Sequence, residues 1–237
     1  MRMIGFSTGA IARGDFDRAL QALAPFHLPA VEVSALRLDE LPRLAQRAPC
    51  LVLAQYQYVS VHAPSYFEPD SEQTVVDLLQ SVVVRGWPVV VHPDVIFTDA
   101  LWLPFGEALI LENSDRRKTV GRTADEIESL FDRFPDAGFC FDVGHARQID
   151  PTMNEAQIIL ERNRTRLLQV HISEVNFLSR HDPLSSAAIE ATRRIAHLIS
   201  EDVPIIVETS IDHSQSTIMT EVRRAMEALT PLVRVAV

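Results

Sequence analysis

Glu32, His62, His92, Glu112, Asp142, His171 and Glu208 stand at or near the C-terminal ends of short apolar runs. The runs read AVEVSA, YVSVHAP, VVVHPD, ALILENSD, FCFDVGHA, LLQVHISE and PIIVETS. FCFDVGHA adds His145 three positions after Asp142. Taken singly, each is the polarity expected of a residue entering a loop. Taken together they describe a site. Carboxylates gathered away from water repel one another unless a cation compensates, and neutral imidazoles among them complete a coordination set. Mixed nitrogen and oxygen ligands suit zinc, manganese, iron or cobalt better than calcium or magnesium, which prefer oxygen alone. A divalent transition-metal centre is therefore expected. Glu32 has two readings of equal weight: a substrate contact from the opposite wall of the same mouth, or a solvated loop residue.

What must position these residues is a set of strands. With MIGFST at the N-terminus there are eight apolar runs, separated by helix-compatible stretches, the rhythm of βα units and a parallel sheet. RTADEIESLFDRF opens with a Thr123-x-x-Glu126 capping box and sets Ile127, Leu130, Phe131 and Phe134 on one helical face. STIMTEVRRAMEAL does the same with Ile218, Val222, Ala225 and Leu229, whereas TDALWLPFG permits only a stunted helix. Eight such units in 237 residues predict a single-domain (β/α)8 barrel over 1–237. An open doubly wound sheet would string the polar residues along an edge; a barrel converges them on one mouth. Alternation along each strand then places Ile110, Cys140, Gln169 and Ile206 on the interior face with Glu112, Asp142, His171 and Glu208. Leu109, Leu111, Phe139, Phe141, Val170 and Val207 face the helices.

Composition narrows the partners. A net charge of −10, from 22 basic and 32 acidic residues, opposes diffuse attraction to a phosphate backbone. Cys50 and Cys140 lack the spacing of a disulfide framework or a thiolate zinc site and read as small buried hydrophobes. MRMIGFSTGA lacks a secretory signal pattern, and no apolar run approaches the ~18 residues of a membrane span. The expectation is a cytoplasmic protein without membrane contact.

The order of these motifs, from VEVSA to VETS, resembles the xylose-isomerase-like TIM-barrel superfamily, which includes sugar isomerases, epimerases and apurinic endonucleases of the endonuclease IV type. The resemblance implies one cation held by Glu112 of LEN, Asp142 of FDVGH, His171 of VHISE and Glu208 of VETS. In the epimerase branch the two glutamates also shuttle protons α to a metal-polarised carbonyl. His145 and Arg180 of SRHDP would then hold substrate oxygens, as would His62. In the endonuclease branch His62 and His92 join the shared Glu112 at a second metal, and His145 and His181 belong to a third. The implied content is one to three cations per chain.

The chain departs from the endonuclease pattern at Ser179, where an aspartate is the third site's anionic ligand. ENSD follows the shared glutamate, Glu174 stands where an aspartate is expected, and HDPLSS lacks glycines. A small-molecule enzyme is accordingly preferred: an isomerase or epimerase acting on a sugar or polyol, with or without phosphate. DNA incision ranks second, and a barrel that binds a metabolite without turning it over ranks third. His27, His197 and His213 match no motif and are assigned no role.

Overall fold

The computed structural model describes residues 2–211 and 215–231; His213 lies outside them. All eight apolar runs form strands: β1 (Ile4–Ser7), β2 (Ala30–Ser34), β3 (Tyr58–His62), β4 (Val89–Val91), β5 (Leu109–Glu112), β6 (Gly138–Asp142), β7 (Leu167–Ile172) and, after a short hairpin of β8 (Glu174–Val175) and β9 (His181–Asp182), β10 (Ile205–Val207). They close a parallel barrel in the order β1-β10-β7-β6-β5-β4-β3-β2. The hairpin pairs antiparallel outside the barrel and was not expected from the sequence. No described helix is long and apolar enough to cross a membrane.

The core divides as strand alternation requires. Leu109, Leu111, Phe139, Phe141, Val170 and Val207 are buried against the helix layer, each aromatic contributing about 1.5–3 kcal/mol by burial. Val90, Ile110 and Cys140 form a separate apolar cluster in the barrel interior. Cys140 is buried as expected; Cys50 is exposed, because it ends a 3-10 turn at the surface instead of entering a strand. The helix Ala124–Arg133 starts where the sequence places it, with Thr123 accepting a hydrogen bond from the Glu126 N–H at 3.3 Å. The reciprocal half of the box shifts by one residue: Glu126 accepts from the Arg122 N–H at 2.7 Å. Ile218, Val222, Ala225 and Leu229 are likewise buried on the C-terminal helix Gln215–Ala228 or just past it. TDALWLPFG yields one turn, Asp99–Trp102, followed by 3-10 structure.

That stunted connection is held by Glu72. Its Oε1 accepts from the Phe97 N–H at 2.7 Å, the Thr98 N–H at 3.0 Å and Trp102 Nε1 at 2.9 Å. Burial resists ionisation there, but these three donors hold the carboxyl below its ordinary range. A depressed folded pKa adds stability above the unfolded value of about 4.3, lost as pH falls through the lower folded value. Glu72→Ala strands the buried Trp102 Nε1–H and two part-buried backbone donors and is expected to cost about 3 kcal/mol at neutral pH. The gap in melting temperature between wild type and variant should narrow on acidification below about pH 4; a gap independent of pH would show that the charge is not what matters.

Candidate metal centre

Strand register decides the depth of each polar residue. Asp142 on β6 is level with His171 on β7, which is level with Ile206 on β10, so Glu208 stands just above. Glu112 pairs with Cys140 on β6, one inward-facing step below Asp142. On the other side His62 is level with Ser34, and Glu32 with Ser60 and Ser7. The strand β2 runs two residues past Glu32, so Glu32 lies deep in the barrel and is fully buried. It does not line the cavity, which corrects the expectation that it reaches substrate from the mouth.

Asp142 answers for two jobs at the strand-to-helix junction. As N-cap of the helix Val143–Ile149, its Oδ1 accepts from the His145 N–H at 2.6 Å, which sets the imidazole three residues on. Its other oxygen, Oδ2, is buried with no hydrogen-bond partner. Asn113 clamps the same turn, accepting from the Asp142 N–H at 2.7 Å and donating to its carbonyl at 2.9 Å. The sequence registered Asn113 only as part of the unusual ENSD.

Glu112 is the hub. Its Oε2 meets His62 Nε2 at 3.1 Å and faces His92 Nε2 at 3.7 Å; its Oε1 meets His171 Nδ1 at 3.2 Å and faces His145 Nδ1 at 3.4 Å. His171 Nδ1 is also 3.5 Å from Glu208 Oε2. Two sets of ligand atoms, each within 4.8 Å of one another, share this carboxylate: His62, His92 and Glu112, and Glu112, Asp142, His171 and Glu208. A further overlapping set joins His62, His171 and Glu208. The donor chemistry fits a divalent transition metal, and so does the unsatisfied Asp142 Oδ2, since buried polar atoms are nearly always paired. His92 Nδ1 is unsatisfied as well, and its Nε2 is too far from Glu112 for a hydrogen bond.

The electrostatics of the protein alone show how the charges divide. Burial by itself would hold Glu112 neutral, but His92, His171 and His62 keep its carboxyl well below the ordinary range. Burial pushes Glu208 well above that range, with Glu112, Asp142 and Glu32 reinforcing the shift against His171. Burial would lower His62 and His171; the carboxylates lift His62 to about 9 and His171 well above its usual value. His92 and His181 stay neutral, burial taking them down to about 3 and about 4. Protonated imidazoles thus occupy the balancing role that a bound cation would assume, with release of their protons.

His145 and His181 lie side by side, ring centroids 5.6 Å apart, and both line the cavity. Neither joins a set of three ligands among the described residues. His145 Nδ1 is taken up by the Asn113 carbonyl at 2.9 Å, and His181 Nδ1 by Ser173 Oγ at 2.8 Å. Ser179, in the left-handed region at φ 53°, turns its hydroxyl to Gln148. Arg180 sits exposed in the hairpin turn and does not line the cavity.

The cavity has a volume of about 90 Å³ and is lined by His62, His92, Glu112 and Glu208. Ser7, Ser210 and Arg13 also line it. Arg13 is the one Lys or Arg lining it among the described residues, and its guanidinium donates a long hydrogen bond to Ser210 Oγ at 3.4 Å. The sequence offered no signal for Arg13, which follows β1 without any motif around it.

No protein-family model and no curated protein matches the sequence. Solved structures do match in shape. Endonuclease IV of Thermus thermophilus superposes with a TM-score of 0.66 at 19% identity, over 97% of this chain and 99% of that one. A probable 3-DHS dehydratase, AsbF of Bacillus anthracis, involved in petrobactin synthesis, gives 0.50 at 12% identity, over 94% and 89%. With its closed ring of eight parallel strands and likeness to these structures along nearly its whole length, the chain has the (β/α)8 TIM-barrel fold.

Proposed function

We propose that this protein is a metal-dependent hydrolase of a phosphoester, working with two divalent cations. The observation that carries this reading is the sharing of Glu112 by two sets of ligands. His62, His92 and Glu112 would hold one cation, and Glu112, Asp142, His171 and Glu208 the other. A carboxylate-bridged pair supplies charge stabilisation for the attacking and leaving oxygens of an in-line phosphoryl displacement and acidifies water.

The chain's own residues do the rest. Glu112, with both oxygens engaged by imidazoles, suits a bridge better than a proton shuttle. Arg13 faces the cavity without an acidic partner among the described residues, which suits a substrate phosphate. His145 and His181 border the same space and offer ring nitrogens to substrate oxygens. The small cavity favours a compact group at the reacting end, whether a free phosphate ester or one nucleotide of a longer chain.

A sugar isomerase or epimerase is the second reading. It is favoured by the pair Glu112 and Glu208 on either side of His171 Nδ1, at 3.2 and 3.5 Å, and by the high proton affinity of Glu208. One experiment separates the two. Protein loaded with Mn²⁺ or Zn²⁺ is offered a chromogenic phosphodiester, abasic-site duplex DNA and, in deuterated water, a panel of ketoses. Hydrolysis abolished by chelation is expected, with Arg13→Ala raising KM about tenfold at nearly constant kcat, the loss of one charge-assisted contact. Deuterium entering a ketose, with both phosphoesters left intact, would transfer the assignment to the isomerase reading; sugar binding with neither reaction would favour a non-catalytic barrel.

A further inference from the structure

We propose that Glu32 is a positioning residue for the cation centre: from beneath, it holds the proton of His171 on Nε2 and thereby turns the Nδ1 lone pair toward Glu112, Asp142 and Glu208. The proposal rests on the cation-centre reading above, but not on the reaction assigned to it.

His171 is fully buried, and its two ring nitrogens meet different groups. Nδ1 looks up toward Glu112 and Glu208. Nε2 looks down and meets Glu32 Oε2 at 3.0 Å. A neutral imidazole carries one proton, and the hydrogen bond made by one nitrogen decides what the other can do. Below His171 there are two competing neighbours. Gln169 Nε2 is 2.6 Å from His171 Nε2, and a donor from Gln169 would push the imidazole proton up onto Nδ1, where it would block a cation. Glu32 does the reverse, because a carboxylate only accepts.

The surroundings turn the amide toward Glu32. Tyr58 donates to Gln169 Oε1 at 2.8 Å, which fixes the amide so that its NH₂ points inward. That NH₂ then donates to Glu32 Oε2 at 2.7 Å, and Ser60 Oγ donates to the same oxygen at 3.4 Å. Gln169 Nε2 and His171 Nε2 thus both face Glu32 Oε2, the one atom of the three that can only accept. The second carboxylate oxygen, Glu32 Oε1, is buried without any partner. A carboxylate kept fully buried with one oxygen unsatisfied is a poor structural element, since a neutral, fully paired group would be cheaper to bury. Its arrangement makes sense as a directed acceptor for His171.

The test uses the full-length protein and Co²⁺ alone. Binding is followed by the visible spectrum of the metal for wild type, Glu32→Gln and Glu32→Leu. Glu32→Leu should weaken one of two binding events about 10- to 100-fold, the usual effect of losing the partner behind a ligating histidine. The event assigned to His62, His92 and Glu112 should move far less. Glu32→Gln keeps an oxygen acceptor and should fall between. In ¹⁵N spectra of the Zn²⁺-loaded wild type, His171 should carry its proton on Nε2, a readout that stands even if Glu32→Leu does not fold. Wild-type affinity in both variants, or a proton on Nδ1, would overturn the proposal while leaving the cation centre in place. Wild-type protein that takes up no Co²⁺ would remove both.

Discussion

Glu112→Gln is expected to cost the protein both cations at once. Each set of ligands loses its shared anion, and an amide oxygen is a far weaker ligand than a carboxylate. Elemental analysis after dialysis against Mn²⁺ should fall from about two ions per chain to less than one, the wild-type value being that of a carboxylate-bridged pair. Hydrolysis should fall by about 10³-fold or more, because losing several kcal/mol of transition-state stabilisation costs a factor of ten per ~1.4 kcal/mol. The fold should survive. Glutamine keeps the volume of the side chain, and with the anion gone His62 and His171 can be neutral and still hydrogen-bond to the amide. An unchanged circular dichroism spectrum with two cations still bound would refute the bridging role. Loss of one cation only would place Glu112 in a single set.

Gly5→Ala is expected to have the largest effect on stability. Gly5 lies in β1, which closes the barrel by pairing with β10 on one side and β2 on the other. A Cβ there would stand 1.8 Å from the Ala30 carbonyl oxygen and 2.3 Å from its carbon. Both are backbone atoms of the neighbouring strand, so relief requires β1 and β2 to part where the barrel closes. Overpacking of this kind costs about 3 kcal/mol or more. At roughly 2–4 °C per kcal/mol for a chain of this size, melting should drop by about 10 °C, read by calorimetry. Gly86→Ala is the control. Gly86 has φ 75° with nothing within 4 Å of the added carbon, so only left-handed strain applies, about 1–2 kcal/mol. Equal shifts for the two variants would mean that the backbone clash at Gly5 is absorbed without opening the barrel.

The two predictions differ in how far the sequence alone leads to them. The role of Glu112 is foreshadowed by its place at the end of an apolar run and by its motif. Gly5 is one glycine within such a run, and only the closeness of Ala30 in space makes it critical.

The same division runs through the molecule. The runs, their alternation and their terminal acids and imidazoles determined eight strands, the inward set Ile110, Cys140 and Gln169, and the convergence of His62, His92, Glu112, Asp142, His171 and Glu208, because side-chain period and polarity are local properties of a strand. What only the tertiary structure decided depends on register and on groups far apart in sequence. Glu32 resembled the other strand-end acids, yet β2 runs two residues further and leaves it under His171, 139 residues away. Arg13 and Ser210 meet across the mouth from 197 residues apart. Depth in a barrel is set by how neighbouring strands align, and no single strand carries that information in its own residues.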